Sequence, residues 1–438
     1  MVTTFDPSQF IKNLGFTGLT AMQAESLSHF DSGKNVIISS PTGSGKTVAF
    51  LLMCLKVLPA KHKGTHALII TPTRELALQV TEVFRSMKTG LKVTTCYGGH
   101  KREIEENNLI DAPSLIVGTP GRIGDHIRRG NITTEGINTL VLDEFDKSLE
   151  LGFEEEMKFI IDRLTTIHNR ILTSATPLES LPAFLKADEI EKLNFTSEQP
   201  VSTALSISTY HIDEKDRCLF RILSTIGNKR TIIFTNEKDS VKRLSRFLTS
   251  HKIPAVSYHG SMEQKDREVS IAKFRNASVL FLVTTDLASR GLDIPNVRYI
   301  IHYDLPETEQ AFIHRNGRTA RMEASGDIIV MVSSAKQLPS FIPTGIPEFS
   351  LDLTAETPDK TEWSTLYISA GKKDKINKID IAGFLMQKAG MKKEDIGLIE
   401  VKDFYSFAAI RRSKMNWLIG QGKNQKIKNK KVIIDVAK

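Results

Sequence analysis

The sequence predicts an α/β protein of two tandem lobes, each a parallel sheet with helices on both faces, followed by a small α+β domain of order βαββαβ. Three observations carry this. Short apolar runs without polar alternation, Val36-Ile37-Ile38, Ala67 to Ile70, Ser114 to Gly118 and Thr139 to Leu142, alternate with helical patterns, as buried parallel strands do. The alternation resumes after the polar passage Thr196 to Pro200, in Thr231 to Phe234, Ser257 to Gly260 and Val279 to Val283, as in a duplicated fold. Beyond Thr365 it gives way to a strand at Leu366 to Ser369, a helix at Asp380 to Ala389, strands at Ile396 to Val401 and Tyr405 to Ile410, a helix at Arg412 to Ile419 and a strand at Val432 to Val436.

The chain's 438 residues suffice for about three domains, placed at 1–197, 198–355 and 364–438. Met1 to Phe10 lacks a basic segment followed by an apolar one, and no apolar run approaches the roughly 18 residues that span a membrane. A cytoplasmic protein without membrane partners is expected. Cys54, Cys96 and Cys218 are too few and scattered for a disulfide framework or a zinc site and read as small buried side chains. The net charge of +8 belongs to the tail: residues 364–438 hold 17 Lys and Arg against 7 Asp and Glu, leaving −2 for the remainder. A basic field on one small domain suits a phosphate backbone, although a solvated lysine face would look the same.

The first chemistry lies in Ser40-Pro41-Thr42-Gly43-Ser44-Gly45-Lys46-Thr47, between the first strand and an apolar helix from Val48 to Leu58. A glycine-rich turn at a helix N-terminus aims backbone N–H groups at a polyphosphate, Lys46 reaches its outer phosphates, and the Thr47 hydroxyl ligates Mg²⁺. Ser40 stands where the phosphate-loop pattern has glycine. Upstream, Thr20 is a helix N-cap, Gln23 has an amide that matches the adenine edge, and Phe16 offers a stacking face. Asp143 and Glu144 end a later strand, placing one acid beside the Mg²⁺ and the other where it can orient and deprotonate water. Ser174 and Thr176 then supply small hydroxyls that would bridge Asp146 to the neighbouring lobe.

Two strands end alike, in Pro72-Thr73-Arg74-Glu75 and in Thr119-Pro120-Gly121-Arg122, with Gly98-Gly99 between them in sequence. Such helix starts at the carboxyl edge of a parallel sheet can hold successive phosphates of one strand without touching its bases. In the second lobe, His314-Arg315-Asn316-Gly317-Arg318-Thr319-Ala320-Arg321 puts arginines three apart, on one face if helical. Guanidinium groups of that kind suit the charge on a transferring phosphoryl group.

Taken in order, Gln23, Ser40 to Thr47, Pro72 to Ala77, Gly98-Gly99, Thr119 to Arg122, Asp143 to Asp146 and Ser174 to Thr176 resemble the first lobe of a DEAD-box RNA helicase. Asn236, Gln264 with Arg267, Thr285 to Asp293 and His314 to Arg321 resemble the second. Phe145 and Ala320 depart from the family's usual alanine and glycine. The resemblance implies RecA-like lobes, an RNA-stimulated ATPase with ATP and Mg²⁺, and two arginine fingers, Arg318 and Arg321. It further implies Gly291 and Asp293 at the ribose and phosphates, and Arg74, Gly99, Thr119, Arg122, Asn236, Arg267 and Thr285 on RNA. Asp146, Ser174, Thr176 and His314 would couple the lobes. With lysine and acids on one lobe and arginines on the other, hydrolysis would require closure, and ATP and RNA would bind with positive coupling.

In the terminal domain Tyr405 and Phe407 take alternate positions where an RRM sheet shows stacking aromatics, and Lys423, Lys426, Lys428, Lys430 and Lys431 form a basic loop for phosphates. Core plus module is similar to the DbpA subfamily, which implies ribosomal RNA as substrate, with pre-ribosomal particles as partners of a monomer. A general RNA chaperone or ATP-dependent clamp, and a DNA-directed translocase on the same core, are the competing readings.

Overall fold

The computed structural model describes residues 5–31, 33–41, 43–58, 64–178, 181–187, 189–196, 204–211, 214–286, 294, 296–318, 326–335, 337–421 and 426–438. Thr42, Gly291, Asp293, Ala320, Arg321 and Lys423 therefore lie outside the described residues. The chain forms two compact units, with described residues up to 196 in the first and from 204 onward in the second.

In the first unit β1 (Asn35–Ser39), β2 (Ala67–Ile70), β3 (Val93–Cys96), β4 (Leu115–Gly118), β5 (Thr139–Leu142), β6 (Asn169–Ser174) and β7 (Glu191–Asn194) form a parallel sheet of order β3-β4-β2-β5-β6-β1-β7. Side chains alternate across its two faces. Val36, Ile38, Ile69, Val117 and Val141 enter one core with helices Lys46–Val57 and Arg74–Ser86, while Ile37, Leu68, Ile70, Ile116, Leu140 and Leu142 enter another with helix Glu154–Arg163. Burial on both faces explains why these strands carry no polar alternation. Because the sheet is parallel, the ends of β1, β2, β4 and β5 all open on one edge. Phe145 is absorbed into the second core, its ring 6.4 Å from that of Phe184, so the bulk that replaces the family's alanine serves packing. All three cysteines are buried thiols, as expected.

The second unit begins with β8 (Ala204–Tyr210), β9 (Thr231–Thr235), β10 (Ala255–Tyr258), β11 (Phe281–Thr285), β12 (Tyr299–His302) and β13 (Asp327–Ser333), a parallel sheet of order β10-β11-β9-β12-β13-β8. Two strands sit two residues away from their expected places. β10 stops before His259, whose ring turns to Ser261 Oγ at 3.0 Å, and β11 starts late because the Val279 N–H still donates to Lys273 O. Past β13 the chain returns to β8: the Ile207 N–H donates to Pro347 O at 2.9 Å, and the Glu348 carboxylate accepts from the Thr209 N–H at 2.9 Å.

The same unit ends in a four-stranded antiparallel sheet of β14 (Trp363–Ile368), β15 (Ile396–Val401), β16 (Ser406–Arg411) and β19 (Ile434–Val436), with a small hairpin of β17 (Lys426–Ile427) and β18 (Lys430–Lys431) before the last strand. The order β15-β16-β14-β19 is that of a βαββαβ domain. One face, with Leu366, Ile368, Ala408 and Ile410, makes a core with helix residues Ile381, Leu385, Met415 and Leu418. The other face carries Tyr367, Tyr405 and Phe407 and rests on Val269 and Ala272 of helix Gln264–Arg275. This corrects the expectation of a stacking platform. The period of two does align Tyr405 and Phe407, but burying them against a helix removes apolar area from water, and Phe407 is left 1% exposed.

Candidate active site and nucleic-acid interface

The chain leaves β1 through the glycine-rich loop and enters helix Lys46–Val57 with Gly45 as N-cap at φ +95°, a left-handed backbone that favours glycine. A Cβ there would also lie 2.4 Å from Gln23 Nε2, so that amide would have to move off the loop. Gln23 is fastened on both sides: its Oε1 accepts from the Thr20 N–H at 3.0 Å, and its Nε2 donates to Gly45 O at 3.2 Å. Thr20 Oγ1 accepts from the Gln23 N–H at 3.2 Å, the expected cap. The amide expected to read adenine thus also braces the loop. Phe16 nearby in sequence is exposed.

The Lys46 ammonium folds over the loop, donating to Ser40 O and to Pro41 O, the latter at 3.0 Å. Burial lowers its pKa, opposed by the charges of Glu144, Asp143 and Asp146, which places the acids beside the loop. Burial and then the Glu144 charge push Asp143 up to about 7, against the pull of Thr173 and Lys46. Thr173, which the sequence reading passed over, organises both acids: its Oγ1 donates to Asp143 Oδ1 at 2.5 Å and accepts from the Glu144 N–H at 3.0 Å. The signal was present in its position, one residue before Ser174. Ser174 Oγ itself donates to Thr176 O at 2.6 Å, and Asp146 Oδ1 accepts from the Lys147 N–H at 3.0 Å. Glu144 has φ +47°, a left-handed backbone that costs a non-glycine residue about 1 kcal/mol or more.

Among the described residues, the side-chain oxygens Ser40 Oγ, Ser44 Oγ and Glu144 Oε2 are buried with no hydrogen-bond partner. Two hydroxyls and a carboxylate with capacity to spare, around a lysine and a second acid, fit a polyphosphate, its cation and a water. The residues present therefore suit ATP and Mg²⁺, with Thr47 and Asp143 as the side chains to hold the ion.

The adjacent strands β3, β4 and β2 bring the expected RNA residues of this unit together. Arg74 opens helix Arg74–Ser86, capped by Thr73 Oγ1, which accepts from the Leu76 N–H at 3.3 Å. It lies over Gly99, where φ is +101° and a Cβ would come within 2.3 Å of Arg74 Nη1. Thr119 is the N-cap of helix Pro120–Arg128, and Arg122 on its first turn donates to Glu105 Oε2 at 2.9 Å. Glu105 was not singled out in the sequence, because nothing local marks one acid in Arg102-Glu103-Ile104-Glu105-Glu106. Cys96 and His126 also place ligand atoms within 4.8 Å of it, but with the Arg122 guanidinium on the same oxygen the cluster is a carboxylate ringed by donors rather than a cation site.

In the second unit, Asn236 donates its N–H to Asp304 Oδ2 and its Nδ2 to Leu305 O, both at 3.1 Å, and accepts from Arg315 Nη2 at 2.8 Å. Arg315 is 1% exposed and also donates Nε and Nη2 to the two carboxylate oxygens of Asp286 at 2.6 and 2.7 Å. The helix carrying it, Glu309–Asn316, ends at Gly317. Arg318 therefore lies beyond that helix, so Arg315 and Arg318 do not share a helical face as expected: the helix is capped at Gly317 and Arg315 is turned into an ion pair with Asp286, while Arg321 lies outside the described residues. Arg318 and His314 are buried, Thr285 ends β11, and the Arg267 guanidinium stands 5.1 Å over the Tyr258 ring. In the terminal hairpin, Lys428 Nζ pairs with Asp380 and Lys430 Nζ with Asp374, each at 2.8 Å, while Lys426 and Lys431 are exposed.

Residues 20–183 match the DEAD/DEAH box helicase family, residues 214–323 the helicase conserved C-terminal domain and residues 365–436 the DbpA RNA binding domain. The ATP-dependent RNA helicase DbpA of Escherichia coli (strain K12) is 32% identical over 436 residues, covering 96% of this chain and 94% of its own length. Its namesake in Bacillus subtilis (strain 168) is 30% identical over 470 residues, 98% of this chain and 96% of that one. Among solved structures, S. cerevisiae Dbp5 bound to RNA and ADP BeF3 is similar with a TM-score of 0.68 at 27% identity, over 75% of this chain and 88% of that chain.

Proposed function

Because this chain belongs to the DEAD-box ATP-dependent RNA helicases and ends in a DbpA-type RNA-binding domain, we propose that its ATPase remodels structured ribosomal RNA during large-subunit assembly. The observation that carries the choice of RNA is the terminal module, matched over residues 365–436 and holding a basic excess that the rest of the chain lacks. Two lysines of its hairpin, Lys426 and Lys431, are exposed where phosphates could meet them.

In this reading the loop from Ser40 to Thr47 binds the triphosphate and Lys46 leaves its carbonyl partners for the outer phosphates. Glu144 orients the attacking water and takes its proton, with Thr173 holding the Asp143 carboxylate and the Glu144 backbone N–H. Thr47 and Asp143 would hold Mg²⁺, which would neutralise charge on the phosphates. Arg318 stabilises charge on the transferring group. Arg74, Gly99, Thr119 and Arg122 grip the RNA backbone, and Asn236, Arg267 and Thr285 do so from the second unit. The enzyme acts as a cytoplasmic monomer.

Deleting residues 364–438 tests the choice of RNA. It is expected to abolish preference for a ribosomal hairpin while leaving hydrolysis stimulated by generic single-stranded RNA. Equal loss on every RNA would contradict a targeting role.

A further inference from the structure

Glu105 is 1% exposed on helix Arg102–Leu109, and its two oxygens meet four donors from two different segments. Oε1 accepts from the Tyr97 N–H at 2.8 Å and from His100 Nε2 at 3.0 Å, on either side of the Gly98-Gly99 turn. Oε2 accepts from Arg122 Nη1 at 2.9 Å and His126 Nε2 at 2.7 Å, both on helix Pro120–Arg128. Arg122 adds a bond to His100 O at 3.4 Å, closing the circle. Asn131 Nδ2 donates to His126 Nδ1 at 3.1 Å, so the neutral ring carries its proton on Nε2, the nitrogen that faces Glu105.

A carboxylate offers about four lone-pair sites, and here all four are used. Burial alone would raise the Glu105 pKa, but the hydrogen bonds from His100, His126 and Tyr97 and the charge of Arg122 hold it at about 2, so the group stays ionised. Burying a charge carries a desolvation cost that only well-placed partners offset. The partners are the glycine turn over which Arg74 lies and the helix start that carries Arg122.

We propose that Glu105 is a positioning residue for RNA binding, locking the Gly98-Gly99 turn and Arg122 into one rigid backbone-gripping edge. The proposal rests on the reading of that edge as RNA-facing. Arg122 has five N–H groups and gives Glu105 and His100 only two contacts, which leaves donors for a phosphate. Fixing the guanidinium in advance lowers the ordering cost of RNA binding.

The test is a double-mutant cycle on the full-length protein with Glu105→Gln and Arg122→Ala, using single-stranded oligouridylate as the probe. Glutamine keeps the shape and one acceptor oxygen, which the donor-only Tyr97 N–H claims. Its amide N–H₂ then faces Arg122, which has no acceptor, so the guanidinium is released while the turn stays bound. Glu105→Gln should raise the RNA concentration for half-maximal ATPase stimulation about tenfold, yet change it less than about twofold when Arg122→Ala is already present. An equal cost in both backgrounds, or no cost in either, overturns the proposal. A fall in ADP affinity in step with RNA affinity also overturns it, since that marks general loosening of the lobe. If Arg122→Ala alone has no effect, the RNA-facing reading of the edge fails, and the proposal with it.

Discussion

The hydroxyl of Tyr405 donates to Glu268 Oε2 at 2.9 Å, joining the C-terminal sheet to a helix of the preceding lobe. The joint is broad. Ser278 Oγ and Thr365 Oγ1 lie 2.6 Å apart, Arg275 pairs with Glu400 at 3.3 Å, and Phe407 packs on Val269 and Ala272. Tyr405→Phe removes the hydroxyl and keeps the ring, so the joint should weaken by about 2 kcal/mol and amide hydrogen exchange should quicken in Gln264–Arg275 and Ser406–Arg411, while RNA affinity stays within about twofold because the ring packs on protein. A large loss of RNA affinity with unchanged exchange would restore Tyr405 as a stacking face.

That joint also marks where reading the sequence stops. Locally encoded features were legible: the phosphate loop, because glycine and lysine spacing is a backbone requirement; the acids of Asp143 and Glu144, because they end an apolar strand; the Thr20 cap; and the sheets, because burial on both faces removes polar alternation. What depended on distant partners was not. Nothing near Tyr405 announces that a helix some 137 residues earlier covers it. Arg315 read as one of a row of arginines until Asp286 claimed it, and nothing local marked Glu105 among its neighbouring acids before two segments folded around it.

Glu144 should be separable from nucleotide and RNA binding. Glu144→Gln keeps the size of the side chain but removes the base, so turnover should fall by at least about 100-fold while ATP and RNA are still bound. Single-turnover hydrolysis beside equilibrium binding checks this. Retained turnover would remove Glu144 from the chemistry.

Arg315→Lys should destabilise the second unit. A lysine cannot span both Asp286 oxygens, Asp304 O and Asn236 Oδ1, and an incompletely paired buried charge costs about 3 kcal/mol. Calorimetry should show one unfolding transition moving down and that of the first unit unmoved. An unchanged trace would show the ion pair to be dispensable.

His302 gives this unit a pH dependence. Burial, and then the Arg315 cation, hold its imidazole at about 3 instead of 6.5, with Nε2 donating to Asn316 Oδ1 at 2.8 Å. The native state binds the proton less readily than the unfolded chain, so the stabilisation is complete above pH 6.5 and is lost progressively as pH falls toward 3. Between pH 7 and pH 5 this amounts to about 2 kcal/mol. Melting temperature should fall over that range, and less steeply in His302→Gln. Parallel slopes would contradict the assignment.

The most direct test of the whole account is the steady-state ATPase rate of the full-length protein with no nucleic acid, with a ribosomal hairpin RNA, with unstructured RNA and with DNA of the hairpin's sequence. Hydrolysis should be slow alone and with DNA, faster with any RNA, and half-saturated at the lowest concentration by the ribosomal hairpin. A full rate without RNA, or equal stimulation by DNA, would contradict it.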